Sequence, residues 1–244
     1  MTIPLRRVGL GPGVDAWFTG RPDDEPAPPV GQAGNLSHRR PHLPDRLASD
    51  RADVLGRMNL DSRALAWMDQ VHGAAVAAID KDMPAGVQVP GVDGLVTDQP
   101  GRALVVQSAD CVPVLLRAGQ VVGAVHAGRK GIVAGVIGAT IDRIRSMTDE
   151  SIQAAIGPAI GGCCYEVPAD LREQVATLAP GAASETTWGT PSLDLPAAVR
   201  DQLSGAGVEI RAEIAACTRH DDGWFSHRRD PAAGRQLSLV VRWP

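Results

Sequence analysis

Four short apolar runs, at residues 95–97, 103–107, 112–117 and 121–126, follow one another with only a few residues between them. Runs of this length, bounded by Gly, Asp and Ser, read as strands. Ala118-Gly119-Gln120 reads as the hairpin turn between the last two. From Gly131 the period changes: Ile132, Val136, Ile137, Ile141 and Ile144 share one face of a helix predicted over 131–147. Elsewhere strands are predicted at 14–19, 64–71, 74–79, 151–156, 208–217 and 237–242. Helices are predicted at 44–58, 168–178 and 195–203. Strands and helices therefore mix without a strict βαβ alternation. The fold class this implies is α+β (α/β in the broad sense): mixed β-sheets flanked by helices in one layered domain over 1–244, not a Rossmann fold. Residues 21–34, rich in Pro and Gly, are expected as a surface loop.

Composition narrows the function classes. Hydrophobic residues make up 44% of the 244, enough for a full core, while aromatics are only 3%, so that core is aliphatic. The net charge of −4 argues against nucleic acid as a partner. No apolar run reaches the ~18–20 residues of a membrane span. The N-terminal MTIPLRRVGL lacks the apolar stretch of a secretory signal, so a cytoplasmic location is expected. There Cys111, Cys163, Cys164 and Cys217 remain reduced, and the last three read as small buried hydrophobes. Lys81 and Lys130 are the only lysines, so cationic chemistry falls mainly to arginine.

Neither G-x-G-x-x-G nor G-x-x-x-x-G-K-[ST] occurs, which leaves dinucleotide and P-loop sites without support. His72 and His126 each leave a predicted strand beside glycine, in Gln70-Val71-His72-Gly73 and Val125-His126-Ala127-Gly128, and Cys111 lies at a third strand junction. Imidazole and thiolate are zinc ligands, but these separations match no zinc-finger or H-E-x-x-H pattern. Only tertiary structure can assemble them into a site; otherwise they are three semi-buried residues. Asp110 beside Cys111 reads as a support for it or as a strand-end cap.

Six blocks, in order, carry a resemblance: DQVHG (69–73), DGLVTD (93–98), ADCVPVLL (109–116), AVHAG with Gly131 beyond it, IGPAIGGCCYEV (156–167), and CT followed by FSHRRD and GR (217–235). Together they resemble the YfiH-type family, variously called multicopper polyphenol oxidase (laccase-domain) or purine nucleoside phosphorylase. The resemblance implies that His72, Cys111 and His126 bind one zinc and form the catalytic centre. Three protein ligands leave a fourth position open, as in catalytic zinc sites. It further implies phosphorolysis of adenosine, inosine, guanosine and methylthioadenosine, with adenosine deamination beside it. The chain departs from the family where His-Ala-Gly-Trp-Arg-Gly is usual, having Arg129-Lys130, and where Asn-Leu-Gly-x-His-Val is usual, having Asn35-Leu36-Ser37-His38-Arg39-Arg40. The family's Asn-Arg pair is matched by Asp50-Arg51.

Phosphate requires a cationic clamp. Arg51 is the first choice and Lys130, at the start of the predicted 131–147 helix, the second; Arg129, Arg228 and Arg229 follow, and Gln70 shares a strand face with His72 and is expected to orient substrate. Three other readings stand beside this one. A copper polyphenol oxidase of the multicopper kind needs roughly ten histidines in H-x-H clusters. The chain has six and no H-x-H, so copper at the triad is adventitious. A metal-free cysteine hydrolase, including an amidase in peptidoglycan editing, would use Cys111 and His126. A binding module without activity is the fourth reading.

Overall fold

The structure is a computed structural model that describes residues 2–22 and 32–244. Most of the loop expected at 21–34 lies outside the described residues. The chain opens with β1 (Leu5–Gly9) and β2 (Val14–Thr19), then helix α1 (Pro44–Arg57). Next come β3 (Leu65–Met68), β4 (Val76–Ala78), β5 (Gln88–Val89), β6 (Gly94–Thr97), β7 (Ala103–Ser108), β8 (Val112–Ala118) and β9 (Val121–Ala127). Helices α2 (Arg129–Ala134) and α3 (Val136–Arg145) precede β10 (Gln153–Ile156) and α4 (Ala169–Leu178). The last elements are β11 (Ala183–Glu185), β12 (Pro191–Leu193), α5 (Leu195–Gly205), β13 (Glu209–Glu213) and β14 (Gln236–Arg242).

Among the described residues these strands form two six-stranded sheets, ordered β1-β2-β14-β7-β3-β5 and β13-β10-β8-β9-β6-β4, and the small β11–β12 pair. Both large sheets are mixed, as expected: β3 runs parallel to β7 and β5, β4 to β6, and β10 to β13. The two sheets face each other. Ala16 and Phe18 of β2, Leu104 and Val106 of β7, Leu115 of β8 and Val122 and Ala124 of β9 meet in one buried cluster. The alternate residues of the same strands face outward but are not exposed. Val105, Leu237 and Leu239 lie under Val54 and Leu55 of α1, and Val114, Leu116 and Val125 lie under Ile137, Ile141 and Ile144 of α3 and Val199 and Leu203 of α5. Each central strand is therefore covered on both faces, which explains why it reads as an unbroken apolar run instead of an alternation.

The structure corrects several expectations. The helix predicted over 131–147 is two helices, α2 and α3, broken at Gly135, whose φ of +85° is the left-handed conformation that glycine adopts at helix ends. The apolar face agrees with expectation, since Ile132, Val136, Ile137, Ile141 and Ile144 are all buried. Strand β1 was not anticipated because its LRRVG has a largely exposed pattern and gains its place by pairing with β2. The strand predicted at 208–217 stops at Glu213. Among the described residues no helix is long and apolar enough to cross a membrane.

Candidate metal centre and the cavity around it

At one end of the sandwich the chain passes from the first sheet to the second between β3 and β4, between β5 and β6, and between β7 and β8. The β3–β4 crossover carries His72 and the β7–β8 crossover carries Cys111, while His126 stands on β9 opposite Pro113 of β8. The three donor atoms lie within 4.8 Å of one another. Cys111 Sγ is 3.8 Å from His72 Nε2, and the two imidazoles meet edge to face at 4.8 Å. His126 is buried, Cys111 half-buried and His72 exposed, so the cluster has one closed and one open side.

The β3–β4 and β7–β8 crossovers both use backbone that non-glycine residues avoid. His72 has φ +62° and Asp110 φ +92°. Such conformations cost about 1–3 kcal/mol each and persist only when neighbours hold them. Asp93, fully buried just before β6, holds the first. Its carboxylate accepts the N–H groups of Val71 at 3.2 Å, His72 at 3.0 Å and Gly73 at 2.7 Å. The same carboxylate is 2.8 Å from His126 Nδ1. An ionised carboxylate only accepts, so Nδ1 carries the proton and Nε2 is left as the donor towards the cluster. Asp110 is held in turn by Thr218 Oγ1 at 2.6 Å and the Arg228 N–H at 2.6 Å.

The electrostatics follow from this packing. Burial would push the Cys111 thiol up, but the His126 charge and hydrogen bonds from both histidines outweigh it and bring the thiol down to about 6. Burial likewise opposes charge on His126, yet the Cys111 thiolate and the Asp93 carboxylate raise it to about 9. For Asp93 burial opposes ionisation, while the His126 hydrogen bond and the Gly73 and Val71 amides hold the carboxyl below its usual range. A thiolate and two imidazoles converging on one point, with a free side, fit a tetrahedral metal ion with one open position.

The open side faces a cavity of about 570 Å³. Gln70, Arg129, Lys130 and Arg228 line it with the three cluster residues. Gln70 is a strut: its amide donates to the Gln107 carbonyl at 2.7 Å and accepts the Gln107 N–H at 2.8 Å, tying the end of β3 to β7. Each polar end gives one bond to Gln107, and a primary amide has one N–H and one lone pair beyond these two bonds. Arg51 is not on the cavity wall. Its guanidinium donates twice to the Leu36 carbonyl, at 3.0 and 2.7 Å, and stacks over Trp67 at 4.7 Å. Arg229 is also elsewhere, donating to the carbonyls of Thr218, Arg219, Asp221 and Trp224. Both were expected as clamps because a sequence shows a charge but not the carbonyls that fold around it. Lys130 lies on α2, which has only six residues and is too short to add a useful helix-end field.

Arg39, Arg40, Tyr165 and Arg235 are among the lining residues not singled out from the sequence. Arg39 pairs with Asp69 at 2.7 Å, Arg40 donates to the Ala233 and Pro231 carbonyls, and Arg235 donates to those of Ala233 and Gly234. Burial, with Arg40 nearby, lowers the Arg235 guanidinium to about 10. Tyr165 lies beneath the Arg228 guanidinium at 4.7 Å. Arg235 and Tyr165, like Asp93, stand inside the blocks GR, IGPAIGGCCYEV and DGLVTD, so the signal was present without a role attached.

Gly128 is where backbone meets cluster. A Cβ there would lie 2.8 Å from His72 Cδ2 and 3.0 Å from Cys111 Sγ. The backbone at Gly128 is extended, so alanine is tolerated by the main chain and not by the site. Gly128→Ala is expected to weaken metal binding about tenfold or more, because ring and sulfur must shift by tenths of an ångström. Competition with a chromophoric chelator measures this, and an unchanged affinity would show that these two groups do not hold the ion.

The geometry agrees with what the chain resembles. The model of the family described as multi-copper polyphenol oxidoreductase laccase matches residues 15–243. A protein of Streptomyces griseus named purine nucleoside phosphorylase is 41% identical over 244 residues, covering 98% of this chain and 99% of its own length. One of Streptomyces coelicolor with the same activity in its name is 44% identical over 204 residues, covering 81% and 83%. The crystal structure of YfiH from Bacillus licheniformis superposes with a TM-score of 0.81 at 28% identity, covering 94% of this chain and 92% of that one. The chain belongs to the YfiH-type family.

Proposed function

We propose that this chain is a zinc-dependent purine nucleoside phosphorylase acting on adenosine, inosine, guanosine and methylthioadenosine, with adenosine deamination as a second activity of the same site. The observation that carries the reading is the cavity of about 570 Å³ in which the His72–Cys111–His126 cluster faces several cationic side chains. Its size suits a nucleoside. The names of the Streptomyces relatives support the substrate class.

His72, Cys111 and His126 hold the ion, which when bound supplies Lewis acidity at its open position. The remaining work belongs to the chain. Arg228, braced by Tyr165 and by its 2.8 Å bond to the Glu166 carbonyl, presents its other guanidinium edge as a phosphate donor. Lys130 and Arg129, which also line the cavity, add charge. Phosphate held there attacks C1′ of the ribose, a C–O bond forms, and the purine leaves with the electron pair of the C–N bond. Ser108 and Gln107 also line the cavity.

Inosine with phosphate should yield hypoxanthine and ribose 1-phosphate, chelation should abolish this, and zinc should restore it. Hypoxanthine released equally fast without phosphate would sink the phosphorylase reading. Arg228→Ala is expected to raise the phosphate KM about ten- to a hundredfold with zinc content intact, which corresponds to losing one charge-assisted bond. The same cluster favours a second reading, since Cys111, His126 and Asp93 are arranged as nucleophile, base and orienting carboxylate. A metal-free cysteine hydrolase would keep its activity after chelation and lose it in step with labelling of Cys111.

A further inference from the structure

A second group of ligand-type side chains lies outside the cavity. The three cysteines that read as separate small hydrophobes instead converge with a histidine. The donor atoms of Cys163, Cys164, Cys217 and His220 all lie within 4.8 Å of one another. All three cysteines are free thiols. His220 Nε2 is 3.3 Å from Cys164 Sγ, and its Nδ1 is 3.7 Å from Cys163 Sγ. In a tetrahedral site with Zn–S ~2.3 Å and Zn–N ~2.0–2.1 Å, ligand atoms stand roughly 3.5–3.8 Å apart. Only one of the two imidazole nitrogens binds an ion, and the four donor atoms, all within 4.8 Å of one another, would draw in by up to about 1 Å to close that shell.

We infer that Cys163, Cys164, Cys217 and His220 form a closed Cys3His site for a structural zinc ion, separate from the catalytic cluster. Sequence spacing supports it: Cys217-Thr218-Arg219-His220 is a C-x-x-H turn, and two ligands from one tight turn are the usual half of a structural zinc site. The local backbone is turned towards Cys217. The Gly161 N–H points at Cys217 Sγ at 3.4 Å. The 161–165 segment closes on itself through the Cys164 and Tyr165 N–H groups, both 3.0 Å from the Gly161 carbonyl. Gly161 allows this approach, since a Cβ there would already stand 3.3 Å from Cys163 Sγ. With four protein ligands no position is left for substrate, so the site is structural and not catalytic.

Its place in the fold gives it a purpose. The ion would join the segment after β10 to the segment after β13. The first carries Ile160 and Tyr165 to the cavity wall, and the second continues to His227 and Arg228 on the same wall. Between them run only the Ala159–Cys217 bridge and single bonds such as Arg219 to the Cys164 carbonyl at 3.1 Å. A metal clip across two long connections replaces the regular ladder that these segments lack.

The test is metal content and cobalt spectroscopy on the full chain. Wild type should hold about two zinc ions, and Cys111→Ser and His220→Ala/Cys217→Ser about one each, because each variant dismantles one four-coordinate or three-ligand site. His220 is exposed and Cys217 half-buried, so the double variant removes little core. The cobalt measurement does not need the double variant to fold. Cobalt in Cys111→Ser, which has no thiolate at the cavity cluster, should still give intense sulfur-to-cobalt absorption and tetrahedral d–d bands. Their absence, or a disulfide among these cysteines detected as a mass lower by two hydrogens in the unreduced protein, would overturn the site. Neither result depends on nucleoside turnover, so the phosphorylase reading stands or falls separately.

Discussion

Replacing Asp93 by asparagine is expected to lower the stability of the metal-free protein by about 3–5 kcal/mol and its zinc affinity about 10- to 100-fold. One fully buried carboxylate serves four donors: the Val71, His72 and Gly73 N–H groups and His126 Nδ1. Asparagine has the same shape but turns an NH2 group towards at least one of these donors. A buried donor left without an acceptor costs about 1–3 kcal/mol. It also releases the strain at His72, whose φ of +62° is held by these bonds. The two effects are measured apart, stability by urea unfolding with chelator present and affinity by chelator competition. A variant within about 1 kcal/mol of wild type, with unchanged zinc affinity, would show that the carboxylate is not the organiser of the site.

Phe18→Ala is expected to cost about 3–5 kcal/mol, the range for deleting a buried phenylalanine. Phe18 is 1% exposed and lies in the core between the two sheets. Its ring fills the space above Gly157, where a Cβ would stand only 2.4 Å from Cε1 and 2.7 Å from Pro113 Cγ. The chain has just two phenylalanines, so no second ring stands ready to take the place of this one. Unfolding in urea should show the loss in the midpoint with little change in slope. A loss under about 1.5 kcal/mol would mean that the sheets close over the gap, and that the sandwich is more plastic than its packing indicates.

Both residues illustrate where sequence reading reaches its limit. Asp93 is one acid among many, and its block DGLVTD gives it no role. What distinguishes it is that three consecutive amides and an imidazole from another strand point at it. That is a relation between segments 20 to 33 positions apart. Arg51 and Arg229 show the converse. Both carry the right charge, and both are closed off by backbone carbonyls that the sequence does not reveal. The helix predicted over 131–147 is right in its apolar face and wrong in its continuity, because periodicity registers burial while Gly135 registers only as one more residue.

The sequence by itself determined the elements with strong local patterns. Closely spaced apolar runs became β6 to β9, and the amphipathic stretch from Pro44 became α1. The ordered blocks from 69 to 235 identified the family. These properties are legible because they depend on side chains near one another in the chain, or on identities alone. Only the tertiary structure decided that two sheets are stacked, since a strand covered on both faces gives the same apolar run whatever covers it. Only tertiary structure brought His72, Cys111 and His126 within 4.8 Å, and Cys163, Cys164, Cys217 and His220 within the same distance, across connections of up to 57 positions. Coordination depends on distances in space, and a chain that crosses repeatedly between sheets sets those distances by its packing, not by its spacing.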